Sequence, residues 1–374
     1  MAGSRLGPVS RGGSRIVFPP SPVARGALLM VAENPFARTR DFHSRGHVAA
    51  YGPRPPSQFL YQMSDPVDET ALRGPERPRP GPGRATPARV DDAGLVTRFA
   101  PSPSGYMHLG HAYSALIGWR AARAVGGRFR LRIEDIDGGR CRPAFEDAIY
   151  EDLAWLGIDW DGPVRRQSDH LADYAAALEE LIRQGLLYPC FCTRAEVRAE
   201  IKRADAAPHG PDGALYPGTC RKLGRQEQNR RIRAGKAHAL RLDMAKATAR
   251  VGPLAWRDRR AGEVAADPLS CGDVVLARKD VPTSYHLAVT LDDHLQGVSL
   301  VTRGYDLFHA THVHRLLQAL LGLRTPEYLH HPMITDPNGI RLAKRNRAVT
   351  LRSLRSAGKT AEEVRVMVDV GAGR

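Results

Sequence analysis

Cysteine is scarce and odd in number: Cys141, Cys190, Cys192, Cys220 and Cys271 are all that 374 residues carry. Five scattered cysteines exclude a disulfide framework and fit a reducing cytoplasm better than an oxidising compartment. Long apolar runs are also missing. None approaches the ~18–20 residues that a membrane-spanning helix needs, which excludes such a helix. Lysine is rare: seven leave 48 of the 55 basic residues as arginine, against 40 acidic residues and a formal charge of +15. Arginine stays charged and forks onto phosphate, so the excess points to a polyanionic partner, nucleic acid or nucleotide. A G+C-rich genome produces the same Arg/Ala/Gly/Pro-heavy composition, so charge alone does not decide. What is present, 42% hydrophobic and 25% charged residues, suits a soluble chain of one large or two ordinary domains.

Residues 1–90 hold 14 of the 28 prolines, 10 glycines and 13 arginines but no lysine and 6 acids. Stretches such as GPERPRPGPGR, Gly74 to Arg84, bury too little apolar surface to offset chain entropy, and disorder is expected. An arginine-rich start has the composition of a transit peptide, yet no amphipathic period accompanies it and the apolar run Ala27 to Ala32 is too short for a secretory core. Met63 offers a later start codon.

Order is expected from Leu95. Leu95 to Phe99 reads as a short buried strand, followed by the turn-rich PSPSG and a helix from about Ala112 to Val125. Phe129, Leu131 and Ile133 alternate with arginines, a strand period. Helices are expected near 144–156 and 170–185. Strand and helix alternating in this way predict an α/β fold with a parallel sheet. Residues 188–275 read as an inserted subdomain. Strands are expected at Leu287 to Thr290 and Val298 to Val301, then a helix from about His309 to Leu321 and one more after residue 355.

The most informative stretch is RFAPSPSGYMHLGH, Arg98 to His111. It lies between the first strand and a helix N-terminus, where unpaired N–H groups favour phosphate. His108 and His111, with Gly110 between them, suit imidazole donors aimed at a phosphoryl group. Read alone, the pair fits metal ligands or turn histidines equally; the strand–turn–helix setting favours phosphate.

This stretch resembles the first signature of class I aminoacyl-tRNA synthetases in the glutamyl branch. RIEDID (Arg132 to Asp137), DDHLQGV (Asp292 to Val298) and Arg303-Gly304 also match it. The resemblance covers about residues 95–355 and implies a Rossmann-type parallel sheet with an inserted zinc-containing subdomain. Carried over position by position, Arg98, Ser102, Glu134, Tyr285 and Arg303 would hold glutamate. Arg98 suits a carboxylate and Glu134 the α-ammonium. His108, Gly110, His111, Arg341 and Lys344 would bind ATP with Mg²⁺, and His108, His111 and Lys344 are the expected catalytic groups. The second signature falls on RLAKR, Arg341 to Arg345. There an arginine replaces a lysine and Ala343 replaces a serine, and the lost hydroxyl suggests slower adenylation.

Cys190, Cys192 and Cys220 with Tyr216 match the zinc ligands of short glutamyl synthetase-like proteins, and three thiolates with a phenolate suit zinc. Cys141 and Cys271 read as packing residues. Gly358-Lys359-Thr360 is a decoy: a phosphate-binding loop requires a glycine where Ser353 stands, so a helix end is expected. Only 29 residues follow Arg345, which suggests that no anticodon-binding domain follows a catalytic domain at 91–355 and a tail at 356–374. That outline is similar to short bacterial paralogues that attach glutamate to the queuosine base of tRNA(Asp), not to a tRNA 3′ end. The expected partners are ATP, L-glutamate and queuosine-modified tRNA(Asp), with a monomer as default. The alternatives are a truncated enzyme charging tRNA(Glu), an inactive tRNA-binding paralogue and a nucleotidyl transferase on the same fold.

Overall fold

The computed structural model describes residues 94–203, 209–210, 213–333 and 349–368. The extension 1–90, the RLAKR loop with Arg341 and Lys344, and the tail beyond 368 lie outside the described residues.

The chain begins with β1 (Val96–Phe99), α1 (Leu109–Arg123), β2 (Arg128–Ile133), α2 (Pro143–Trp155), β3 (Arg165–Arg166) and α3 (Leu171–Arg183). The middle holds β4 (Leu187–Cys190), α4 (Arg194–Arg203), the short pair β5 (His209–Gly210) and β6 (Gly213–Ala214), and α5 (Arg225–Arg233). It continues with β7 (Ala239–Leu242), α6 (Met244–Val251), β8 (Ala255–Asp258), β9 (Gly262–Ala265) and β10 (Val275–Ala277). The last part comprises α7 (Tyr285–Leu295), β11 (Leu300–Gly304), α8 (Ala310–Leu321), β12 (Glu327–His331), α9 (Leu351–Ser356) and α10 (Ala361–Met367).

β1, β2 and β3 pair in parallel, as do β11 and β12. Ser299 N–H donates to the Val96 carbonyl at 2.9 Å, setting the start of β11 against β1. The sheet therefore runs β3–β2–β1–β11–β12, with β1 central and the chain switching direction beside it. This is where a doubly wound sheet opens a crevice at its strand C-termini. Within residues 188–275, β4, β7 and β10 make an antiparallel sheet of their own, while β8 and β9 add to the main sheet beside β12.

The two-residue period of the strands sorts the side chains. Phe99, Phe129, Leu131 and Ile133 join the core formed with α1 and α2. Arg98, Arg130 and Arg132 therefore occupy the other face. On β11, Thr302 faces α1, where its Oγ1 lies 2.8 Å from the place a Cβ would take on Gly118, so Arg303 also turns away from α1. Gly118 keeps α1 close to the sheet. Each apolar side chain fully withdrawn from water on this face contributes about 1.5–3 kcal/mol.

Leu287 to Thr290 is not a strand but part of α7. An apolar run of four cannot distinguish a strand from a buried helix. Here Ser284 caps the helix by accepting from the Leu287 N–H, and all four residues are buried. At the other end of the chain, Gly358 (φ +79°) follows α9 and Thr360 caps α10. The Gly-Lys-Thr triplet thus joins two helices.

Candidate active site

Two of the arginines on the face away from α1, Arg98 and Arg132, are held by α7. Arg98 Nε donates to Asp293 Oδ1 at 3.0 Å and its Nη1 to the Thr302 carbonyl at 2.9 Å. Arg132, fully buried, donates to the same Asp293 oxygen at 2.7 Å, to Gln296 at 3.0 Å and to Glu134 Oε1 at 3.1 Å. Burial alone would depress the Arg132 guanidinium, but the carboxylates of Asp293, Glu134 and Asp292 outweigh it and raise its pKa. Asp293 shows the reciprocal effect: burial would raise it, and the charges of Arg98 and Arg132 hold it below the usual carboxylate range. Glu134 is pushed upward by burial, against the pull of Arg132 and Arg98. One of its oxygens is shared with Arg132 through two hydrogen bonds. A carboxylate so placed, at the C-terminal end of β2, is disposed to take an ammonium group.

The Glu134 N–H donates to the Pro101 carbonyl at 3.0 Å, which ties the loop carrying Ser102 to the end of β2. Ser102 Oγ lies 3.8 Å from Cys141 Sγ, so Cys141 borders this loop. Tyr285, at the first turn of α7, feels Arg303, Glu134, Arg98 and Asp293, and burial raises its phenol above the usual value. Arg303 is buried on β11; its Nε donates to His330, its Nη1 to His314 and its Nη2 to Thr311. The structure thus brings Arg98, Ser102, Glu134, Tyr285 and Arg303 to one edge of the sheet: two guanidinium groups, a carboxylate and two hydroxyls.

Along the same edge, His108 caps α1. Its Nδ1 accepts the Gly110 N–H at 3.1 Å, and His111 Nδ1 accepts the His108 N–H at 3.2 Å. The two rings lie 3.9 Å apart between centroids. An Nδ1 that accepts leaves the ring proton on Nε2. Both imidazoles are therefore Nε2–H donors at a helix N-terminus, a setting that suits phosphate oxygens. A Cβ on Gly110 would sit 3.0 Å from the His108 ring, so glycine keeps the cap compact. Thr350 pairs with His108 in an antiparallel bridge, and the Leu351 N–H donates to the Met107 carbonyl at 2.8 Å. The chain just after the RLAKR loop is thereby anchored on the histidine motif.

Apart from this edge, the sulfurs of Cys190, Cys192 and Cys220 all lie within 4.8 Å of one another. Tyr216 Oη is 3.4 Å from Cys190 Sγ and 3.7 Å from Cys192 Sγ, and Cys192 and Cys220 sulfurs are 3.4 Å apart. A tetrahedral zinc ion with three thiolates and a phenolate needs edges of about 3.8 Å between sulfurs and about 3.5 Å from sulfur to oxygen. These three separations match the required lengths to within a few tenths of an ångström, and the remaining sulfur pairs lie within 4.8 Å. The Cys220 sulfur accepts the Phe191 N–H at 3.3 Å, and the Arg241 guanidinium lies 3.9 Å over the Tyr216 ring. Both contacts favour anionic ligands.

The DDHLQGV motif contains Asp292, Asp293 and Gln296 but does not by itself indicate what they hold. Asp292 accepts from Arg165, Gln167 and Tyr174, a fully buried anchor for α7. Nothing local marks Thr311, His314 or His330, which bond to Arg303 from α8 and β12, or Asp258, which accepts from His330.

Residues 94–368 match the family described as tRNA synthetases class I (E and Q), catalytic domain. The Glutamyl-Q tRNA(Asp) synthetase of Rhodobacter capsulatus is 48% identical over 280 residues, 73% of this chain and 99% of that protein. The protein of the same name from Nitratidesulfovibrio vulgaris is 43% identical over 71% of this chain and 83% of its own length. Among solved structures, a glutamate tRNA ligase from Elizabethkingia meningosepticum in complex with its amino acid is similar, with a TM-score of 0.58 and 30% identity. That match covers 67% of this chain and 52% of the ligase, so the chain spans about half of that structure's length.

Proposed function

The chain belongs to the class I tRNA synthetases of the glutamate and glutamine group, and from that premise we propose that it activates L-glutamate with ATP and transfers it to the queuosine base of tRNA(Asp). One observation carries the choice of acceptor. Relatives named for glutamyl-Q tRNA(Asp) synthesis are matched over 99% and 83% of their length, whereas a glutamate tRNA ligase is matched over 52% of its own.

The glutamate α-carboxylate attacks the α-phosphorus of ATP, forming glutamyl-adenylate and releasing pyrophosphate. Catalysis of such a step is positioning and charge stabilisation. Glu134 takes the α-ammonium, and Arg98, Arg303, Ser102 and Tyr285 orient the rest of the amino acid. The Nε2–H groups of His108 and His111 meet the charge that builds on the phosphate oxygens. Arg341 and Lys344, at the positions of the second signature, would offset the charge of the departing pyrophosphate, with Mg²⁺ accompanying the nucleotide. A hydroxyl of the queuosine cyclopentene then attacks the activated carbonyl and expels AMP. Cys190, Cys192, Tyr216 and Cys220 would hold one structural zinc ion, which would tie β4 to the turn before α5.

Labelled glutamate incubated with ATP and tRNA(Asp), with and without queuosine and beside tRNA(Glu), tests this reading. Queuosine-dependent labelling that survives periodate treatment of the 3′ end is the expected result. Label on the 3′ end of tRNA(Glu) would make the protein a charging enzyme instead. No label on either tRNA would identify an inactive relative.

A further inference from the structure

Beside the proposed glutamate site, and sharing Tyr285 with it, is a cavity of about 970 Å³ bounded by Ser284, Tyr285, His286, Arg241, Arg278 and Lys279, among others. Its residues do not include Arg98, Ser102, Glu134 or Arg303. The space is therefore a neighbour of the amino-acid site. Its size suits a drug- or nucleoside-sized group.

His286 on its wall is the end of a hydrogen-bond chain whose direction is set residue by residue. Asp258 Oδ2 accepts from His330 Nδ1 at 2.7 Å, and Asp258 Oδ1 accepts the N–H groups of Arg260 and Ala261. With its proton on Nδ1, His330 offers Nε2 as an acceptor, which takes Arg303 Nε–H at 3.1 Å. A guanidinium has only donors. Arg303 Nη1, 3.1 Å from His314 Nδ1, therefore makes that nitrogen an acceptor and places the His314 proton on Nε2. That proton points to His286 Nδ1, 3.2 Å away. His286 must then carry its own proton on Nε2, and no described residue accepts it. Burial, helped by the charge of Arg303, holds His286 at about 4 and His314 well below its ordinary value, so both rings stay neutral near pH 7.

We propose that His286 is a further substrate-contacting residue, a neutral imidazole locked as an Nε2–H donor toward the cavity, where it takes an oxygen of the hydroxyl-bearing nucleoside that accepts glutamate. Asp258, His330, Arg303 and His314 impose that direction; His330 and His314 are positioning residues. The assignment rests on the proposed transfer to tRNA. It adds that the acceptor lies on the side of Tyr285 away from Arg98 and Glu134.

The test separates the two half-reactions. His286→Phe removes the donor and keeps the bulk, whereas His286→Gln returns an N–H near the Nε2 position. We expect His286→Phe to raise KM for queuosine-containing tRNA(Asp) by about 5- to 20-fold, the loss of one hydrogen bond. Glutamate-dependent ATP–pyrophosphate exchange, run without tRNA, should stay within about two-fold of wild type, and His286→Gln should recover most of the tRNA effect. An unchanged KM for tRNA, or exchange falling in parallel with transfer, would overturn the proposal. Ring-nitrogen NMR of the unmodified protein reads the tautomers without any substitution: His286 or His314 found charged, or protonated on Nδ1, also overturns it. Wild-type protein that exchanges pyrophosphate but labels no tRNA(Asp) would instead sink the choice of acceptor, and the role of His286 with it, before any variant is compared.

Discussion

At the scale of single residues, the candidate site is a problem of buried charge. Arg98 and Arg132 share one oxygen of Asp293, and Arg132 also engages Glu134. A guanidinium withdrawn from water must be paired, or the cost is several kcal/mol. Because Asp293 already serves two arginines, Glu134 is not needed solely as a counter-ion and can receive an ammonium group. Glu134→Gln should therefore leave a folded protein, with Arg132 still on Asp293, but lower kcat/KM for glutamate in pyrophosphate exchange by about 30- to 1,000-fold, the loss of a charged hydrogen bond in a buried site. An unchanged KM for glutamate would remove Glu134 from the amino-acid site. This residue was legible in the sequence through RIEDID. Its dependence on Asp293 was not, because 159 positions separate the two and only the packing of α7 against the sheet joins them.

At the scale of elements, the contact between α2 and α9 has an unusual feature. Asp152 is fully buried on α2, neither carboxylate oxygen has a hydrogen-bond partner among the described residues, and Arg355 on α9 lies 3.7 Å away. Burial pushes this carboxyl up to about 6, against the pull of Arg355. A folded pKa above the unfolded value means that the folded state binds more protons. Stability then falls as pH rises from about 4 to about 6 and stays lower beyond. Asparagine has no charge to desolvate, so Asp152→Asn should raise Tm by a few degrees at pH 7.5, with the advantage shrinking as pH approaches 4. A Tm difference independent of pH would show that Asp152 does not titrate in this range. The element scale is also where periodicity misled. RFRLRI correctly implied a strand at β2, but Leu287 to Thr290 lies in a helix, since helix and strand look alike when every face is buried.

At the scale of the whole molecule, the parallel strands of the main sheet set their C-termini along one edge, and the glutamate and phosphate groups follow from that. The cysteine cluster is separate from this edge and tests a different property. Purified protein should contain one zinc ion per chain, and removing it with a strong chelator should lower Tm by roughly 5–15 °C, because the ion binds the folded state alone. A metal-free protein with an unchanged Tm would reduce the cluster to packed thiols.

The sequence by itself determined the α/β alternation, the histidine motif at a strand–helix junction, the acid at the end of β2 and the three cysteines with their tyrosine. The alternation and the setting of the histidines are local signals, carried by periods of two and 3.6 residues; the acid and the cysteine–tyrosine set are legible through short motifs that resemble the glutamyl branch. Tertiary structure alone decided that Arg132, the last of the arginines alternating along β2, is buried beneath α7 while Arg128 stays exposed. It alone gathered Thr311, His314 and His330 around Arg303 and set Asp258 against His330. Those contacts depend on strand order and on which face of the sheet each helix covers, and neither is written in any stretch short enough to be read on its own.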